Sequence, residues 1–215
     1  MKYGESTFDI LYLIFTVVMG ILILSKRKDA IGRLMGSATL ILGFGDAFHL
    51  IPRVINYFAD GDLSFWLGTG KMITSITMTV FYVFMYLIWI RVYKAQENKV
   101  FKIVFFLAVI LRIVLCFLPQ NRWFTNDGGL LIGIIRNIPF VVAGILIVII
   151  WFSKRKDIKV LSPVWLLVTL SFAFYIPVTI GASFVPVLGA LMLPKTVCYM
   201  LLIVCFWRYA KKDKK

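Results

Sequence analysis

Apolar residues fill this chain in long blocks separated by short basic, acidic or glycine-rich connections. A helix needs about 20 predominantly apolar residues to cross a hydrocarbon layer roughly 30 Å thick. Seven blocks meet that length, over 8–25, 33–57, 70–93, 100–118, 130–152, 160–180 and 184–209. The last two are closely punctuated by Pro177, Pro186 and Pro194. The pattern predicts an all-α polytopic membrane protein with seven transmembrane helices. Residues 1–215 then form one integral membrane domain, with no stretch left over for a soluble one.

Composition agrees with this picture. The chain is 61% hydrophobic and 16% charged, against about 45–50% and about 25% in soluble domains. A formal charge of +14 would suit nucleic acid, but its distribution argues against such a partner. Lys26, Arg27, Lys28 and Arg33 flank the first connection. Arg91, Lys94, Lys99 and Lys102 flank the third, and Lys154, Arg155, Lys156 and Lys159 the fifth. Arg208, Lys211, Lys212, Lys214 and Lys215 follow the last block. The alternate connections carry only Lys2 and Arg122, with the acids Glu5, Asp9, Asp60, Asp62 and Asp127. Basic residues gather on the cytoplasmic side of membrane proteins. The expected location is therefore the cell membrane, N-terminus outside and C-terminus cytoplasmic, which requires an odd number of spans.

The residues after Met1, Lys2 to Glu5, lack a strong basic cluster, and no small-residue cleavage site follows the first block, so no cleaved leader is expected. Cys116, Cys198 and Cys205 lie inside predicted spans without metal-site spacing and read as small packing residues.

Three features recur in order along the chain. Gly20-Ile21-Leu22-Ile23 precedes Ser25-Lys26-Arg27-Lys28-Asp29, and Gly144-Ile145-Leu146-Ile147 precedes Ser153-Lys154-Arg155-Lys156-Asp157. Ile51-Pro52 is answered by Ile176-Pro177, and Lys71 by Lys195 at a similar interval. These imply two parallel three-helix repeats, 8–93 and 130–209, joined by a linker helix over 100–118. At the level of architecture this plan resembles SWEET and PQ-loop transporters, although the Pro-Gln signature is missing. The resemblance implies a transport protein whose single chain could complete a site; dimers and trimers are equally compatible.

Candidate chemistry lies in the ionisable residues within or at the edge of the spans: Asp46, His49, Arg53, Lys71, Arg112, Arg136 and Lys195. A charge at the bilayer centre costs about 2.5–3.5 kcal/mol on insertion scales, so such residues usually line a cavity, pair, or hold a ligand. Asp46, His49 and Arg53 fall at i, i+3 and i+7 on one helix face. Pro52 frees the Phe48 carbonyl, and Gly43 and Gly45 permit close helix approach. Arg53, Lys71, Arg112 and Arg136 lie near outer helix ends, where each alone is expected to snorkel. Lys195 reads as deeper, near the middle of the seventh helix, and so ranks first. Asn137 and Tyr175 add neutral polar groups, whereas Trp66, Trp123, Trp151, Trp165 and Trp207 read as interfacial belt residues.

The expected ligand site is thus Asp46, His49, Arg53, Lys71, Arg136, Asn137, Tyr175 and Lys195. Its partners would be membrane lipids and an anionic metabolite or lipid headgroup. One histidine and no His/Cys cluster argue against a metal, and no cofactor motif is present. Asp46 reads as the sole deep acid, which leaves an aspartyl dyad without a second member. Transport or flippase-like binding leads, with Asp46 and His49 carrying a proton. Two alternatives stand beside it. One is a lipid enzyme using Asp46 and His49. The other is a chromophore protein, since Lys195 is placed like the Schiff-base lysine of the opsins it resembles in helix number, with Asp46 having to reach across as counter-ion.

Overall fold

The computed structural model describes residues 2–59, 61–96 and 98–212; Met1, Asp60, Lys214 and Lys215, named above, lie outside the described residues. Among these, no strand forms and seven α-helices do: α1 Lys2–Lys26, α2 Ala30–Phe58, α3 Ser64–Tyr93, α4 Lys99–Cys116, α5 Leu130–Ser153, α6 Val164–Gly181 and α7 Met192–Lys211. Six stretches are long and apolar enough to cross a membrane: α1, α2, α3, α5, α6 and 186–211. The linker helix α4 is not among them. It carries Lys99, Lys102 and Arg112 within 18 residues, and that charge density removes the uninterrupted apolar window.

Local chemistry sets the helix ends. The Asp29 carboxylate accepts the Gly32 N–H at 2.8 Å and caps α2. Asn98 caps α4 by accepting from Val100 and Phe101. Asp62 accepts the Ser64 N–H at 2.9 Å, which starts α3 six residues before the apolar block begins. The seventh block divides: Pro186–Leu191 is a 3-10 helix and α7 begins only at Met192. A proline is tolerated in the first turn of an α-helix but not in its interior, so Pro194 fixes where the α-helical hydrogen bonding can start.

The helices form a closed ring. Each packs on its sequence neighbours, α1 also meets α7, and α3 also meets α5, leaving α4 against the α3–α5 pair. On α1 the side facing the ring interior is the more polar one. Its buried positions are Ser6, Asp9, Tyr12, Thr16, Gly20 and Ile23, while Ile10, Leu11, Ile14, Val18 and Ile21 point outward. On α4, Phe105, Ala108, Val109, Arg112 and Cys116 make one buried stripe at helical spacing. Its outer face exposes Ile103, Leu107, Ile110 and Val114. That inversion is what a lipid surround selects, because the apolar solvent is outside.

Glycines let the helices approach where no side chain would fit. A Cβ on Gly70 of α3 would lie 2.0 Å from the Phe48 carbonyl oxygen, and one on Gly45 of α2 would lie 1.9 Å from the Thr77 hydroxyl. The Phe48 carbonyl is the one that Pro52 deprives of its helical donor. It therefore abuts α3 and does not join Asp46, His49 and Arg53 on one open surface.

At the pole of the α1–α2, α3–α4 and α5–α6 connections, Arg27 ties two elements together. Its guanidinium pairs with Asp29 at 2.8 Å and lies 4.8 Å from the ring centre of Tyr209 near the end of α7. Gly70→Leu should cost about 1–3 kcal/mol by overpacking α2 against α3, whereas Gly4→Ala, with open space around it, should be silent. Thermal unfolding of the purified protein in detergent, followed by tryptophan fluorescence, checks both.

Candidate functional site

A cavity of about 410 Å³ opens at the opposite pole, where α1, α3, α5 and α7 begin and α2, α4 and α6 end. Its walls carry Lys71, Arg112, Arg136 and Lys195, with His49, and no carboxylate among the described residues. Asp127, in the connection before α5, is engaged by Arg122 at 3.4 Å and accepts from the Thr125 hydroxyl. That hydroxyl holds the Asp127 carboxyl below the usual carboxylate range.

The two arginines are placed by short sequence devices. Arg112 continues the inward stripe of α4 and is 2% exposed. One guanidinium nitrogen donates to the Arg136 carbonyl at 2.6 Å, and the group lies 5.3 Å from the Phe140 ring centre. Arg136 donates to the Asn121 side-chain oxygen at 2.7 Å and stacks 4.2 Å from Trp123. Asn121 is itself anchored by donating to the Leu115 and Leu118 carbonyls, each at 2.8 Å. The Trp123 indole donates to the Cys116 carbonyl at 2.7 Å. Both guanidinium Nε groups are buried without a partner. Arginine keeps its charge in proteins, so the site holds two cations whose partners are neutral and whose donors are not exhausted.

Across the cavity, Lys71 donates to the Asn126 side-chain oxygen at 2.8 Å. The Lys195 ammonium lies 4.9 Å and 5.7 Å from the ring centres of Tyr175 and Tyr199. Asn137 accepts from the Tyr175 hydroxyl at 2.8 Å and donates to the Gly133 carbonyl at 2.8 Å. His49 lines the wall with a buried Nδ1 that has no partner. Below, Phe140 meets Tyr82 and Phe172 at 5.1 and 5.3 Å between ring centres. The Tyr82 and Tyr199 hydroxyls share a hydrogen bond at 3.1 Å. Phe140 lines the cavity and joins it to this buried aromatic layer.

Of the eight residues expected from sequence, six line this one space: His49, Lys71, Arg136, Asn137, Tyr175 and Lys195. Arg53 and Asp46 do not. Arg53 turns toward α1, where it pairs with Glu5 and lies 3.4 Å from the Tyr57 hydroxyl. Asp46 also faces α1 and accepts from Tyr12 at 2.6 Å, within electrostatic range of Lys195 and Asp9. The three ionisable residues of α2 therefore part company, because α1 offers partners to two of them.

Four further readings change. Asp46 is not the sole deep acid, since Asp9 is 5% exposed inside α1; its place in the Ser6-Asp9-Tyr12-Thr16 stripe is the signal that marks it. Arg112 and Arg136 do not snorkel, because neutral partners inside the protein hold them. Lys195 sits in the first turn of α7, not mid-helix. Trp123 and Trp151 are 8% and 1% exposed, so they are interior residues and not a belt. Asn121 and Asn126 carried no advance signal, since their role depends on how the 117–129 connection folds over the cavity.

Searches against protein-family models, curated proteins and solved structures find no match to this chain, so its site stands on its own geometry.

Proposed function

We propose that this is a seven-helix membrane protein that binds an anionic metabolite or lipid headgroup in the cavity at its N-terminal pole and carries it across the membrane. The supporting observation is the set of four cations around one cavity with no carboxylate among its described lining residues, including a nearly fully buried Arg112 with an unused donor. Burying a charge without compensation costs several kcal/mol, and a ligand of opposite sign is the economical way to offset it. Tracts of basic residues at the other pole support an outward-facing cavity by the positive-inside rule. We count α4 as the seventh span because its outer face is apolar from Ile103 to Val114, beyond the exposed Lys99 and Lys102.

Within this reading, Arg112 and Arg136 hold the negative group through charge-assisted hydrogen bonds. Lys71 and Lys195 add charge from the facing wall. Gly129 offers α5 no side-chain cap, which leaves first-turn N–H groups beside the cavity to favour an anion. Asp46 serves as an acidic neighbour that can share Lys195 with the ligand. The buried aromatic layer that Phe140 joins would close the route inward, as a carrier open to one side requires. Pro177 in α6 and Pro52 in α2 break helical hydrogen bonding at levels where bending would move the walls. The proposed two-repeat organisation suits this arrangement, since Lys71 in α3 and Lys195 in α7 would then line the cavity from corresponding helices.

A second reading, the chromophore protein, gains one observation: Asp46 lies within electrostatic range of Lys195, although no ion pair is seen between them among the described residues. Its cost is a pocket crowded with three further cations, which would disfavour a protonated Schiff base. The lipid-enzyme reading is weakened because Asp46 and His49 share no hydrogen bond among the described residues and face different surroundings.

Calorimetric titration of the purified protein with inorganic phosphate should show binding. Arg136→Gln and Lys195→Ala should each weaken it about tenfold, equivalent to about 1.4 kcal/mol, while Arg53→Gln leaves it unchanged. Equal affinity in all four proteins would overturn the site. Adding all-trans retinal should produce no visible absorbance band; a band lost in Lys195→Ala would establish the second reading instead.

A further inference from the structure

The cavity has a side door. An apolar groove of about 270 Å³ runs between α5 and α6, lined by Ile134, Ile138, Val141, Val142, Ile176 and Ile180. Ile138 is 57% and Ile180 49% exposed, so the groove faces the surroundings of the ring, where lipid chains would lie. Three residues belong to both spaces: Asn137, Tyr175 and Thr179 line the groove on one side and the cationic cavity on the other.

The dividing wall is thin and built to part. The Tyr175–Asn137 hydrogen bond at 2.8 Å is the side-chain hydrogen bond that joins α5 to α6 among the described residues. Each helix also contains a proline close to it in sequence, Pro139 in α5 and Pro177 in α6. These leave the Ile135 and Ala173 carbonyls without helical donors, which lowers the resistance of both helices to bending.

An amphipathic molecule matches both halves. A soluble anion would use the cavity and leave the adjoining groove unexplained; a neutral lipid would use the groove and leave Arg112, Arg136, Lys71 and Lys195 unmatched. We propose that the ligand is a membrane lipid with a net negatively charged phosphate headgroup, held among the cavity cations with one hydrocarbon chain in the α5–α6 groove, entering sideways from the bilayer. This rests on the anion-binding reading above and narrows it to one ligand source.

Native mass spectrometry of the full chain in detergent micelles tests it, with dioleoyl phosphatidate, dioleoyl phosphatidylcholine and sn-glycerol 3-phosphate as separate probes. Phosphatidate should bind at least tenfold more tightly than either of the others. Ile138→Trp, at an exposed groove position, should reduce phosphatidate binding about tenfold and leave glycerol 3-phosphate unchanged. Ile176→Phe provides a second, smaller obstruction should the first variant fold poorly. Unaltered phosphatidate binding in both groove variants would overturn the lipid proposal. So would glycerol 3-phosphate binding as tightly as phosphatidate, and in either case the anion cavity would stand. Failure of both phosphate probes to bind would remove the cavity reading as well.

Discussion

Holding guanidinium groups inside a bundle of apolar helices, with no carboxylate partner among the described residues, is the constraint to which much of the cavity pole answers. Arg112 and Arg136 are kept in place by a backbone carbonyl, an asparagine oxygen and two aromatic faces. Each contact orients a cation without cancelling it. Fixing the partners takes further structure: Asn121 is tied to the end of α4, and Trp123 hydrogen-bonds the Cys116 carbonyl. The close approach of Gly68 to the Trp123 backbone then seats the whole 117–129 connection on α3. A segment that looks like a simple link in sequence thus becomes the scaffold of the site.

Other charged groups find their partners on α1. Arg53 is neutralised by Glu5, while Asp46 accepts from the neutral Tyr12 hydroxyl. Positive charge without acid collects on the α3, α4, α5 and α7 side, while acids collect on the α1–α2 side. Lys195 lies at the border, lining the cavity yet within reach of Asp46's field. Charge placement therefore divides the ring more sharply than its hydrophobic packing does.

The helices were legible in the chain because length and apolarity set them, and most ends moved only by a few residues. Three starts moved further: α1 begins six residues ahead of its apolar block, Asp62 starts α3 early, and Pro194 delays α7. The candidate site was partly legible. Intramembrane Lys71, Arg136 and Lys195 stand out against apolar neighbours, and Asn137 and Tyr175 adjoin prolines. Direction was harder to read. Arg53 and His49 share a face of α2 by spacing, yet a partner on α1 claims one and the cavity the other. Periodicity locates a face within a helix, but the neighbour it meets is a property of the ring. Arg112 could have been promoted by its register with Phe105, Ala108 and Cys116, which identifies the inward stripe of α4.

Arg27 brings the foot of α2 and the end of α7 onto one guanidinium, opposite the cavity mouth. A closed ring pinned at its base transmits bending unequally: helices α1, α2 and α7 are gathered there, while α5 and α6 stand outside that clamp. Deformation should therefore concentrate in the unpinned arc, much as a basket flexes at the rim farthest from its strongest knot. Stiffness on one side becomes the means by which the other can yield without the ring coming apart.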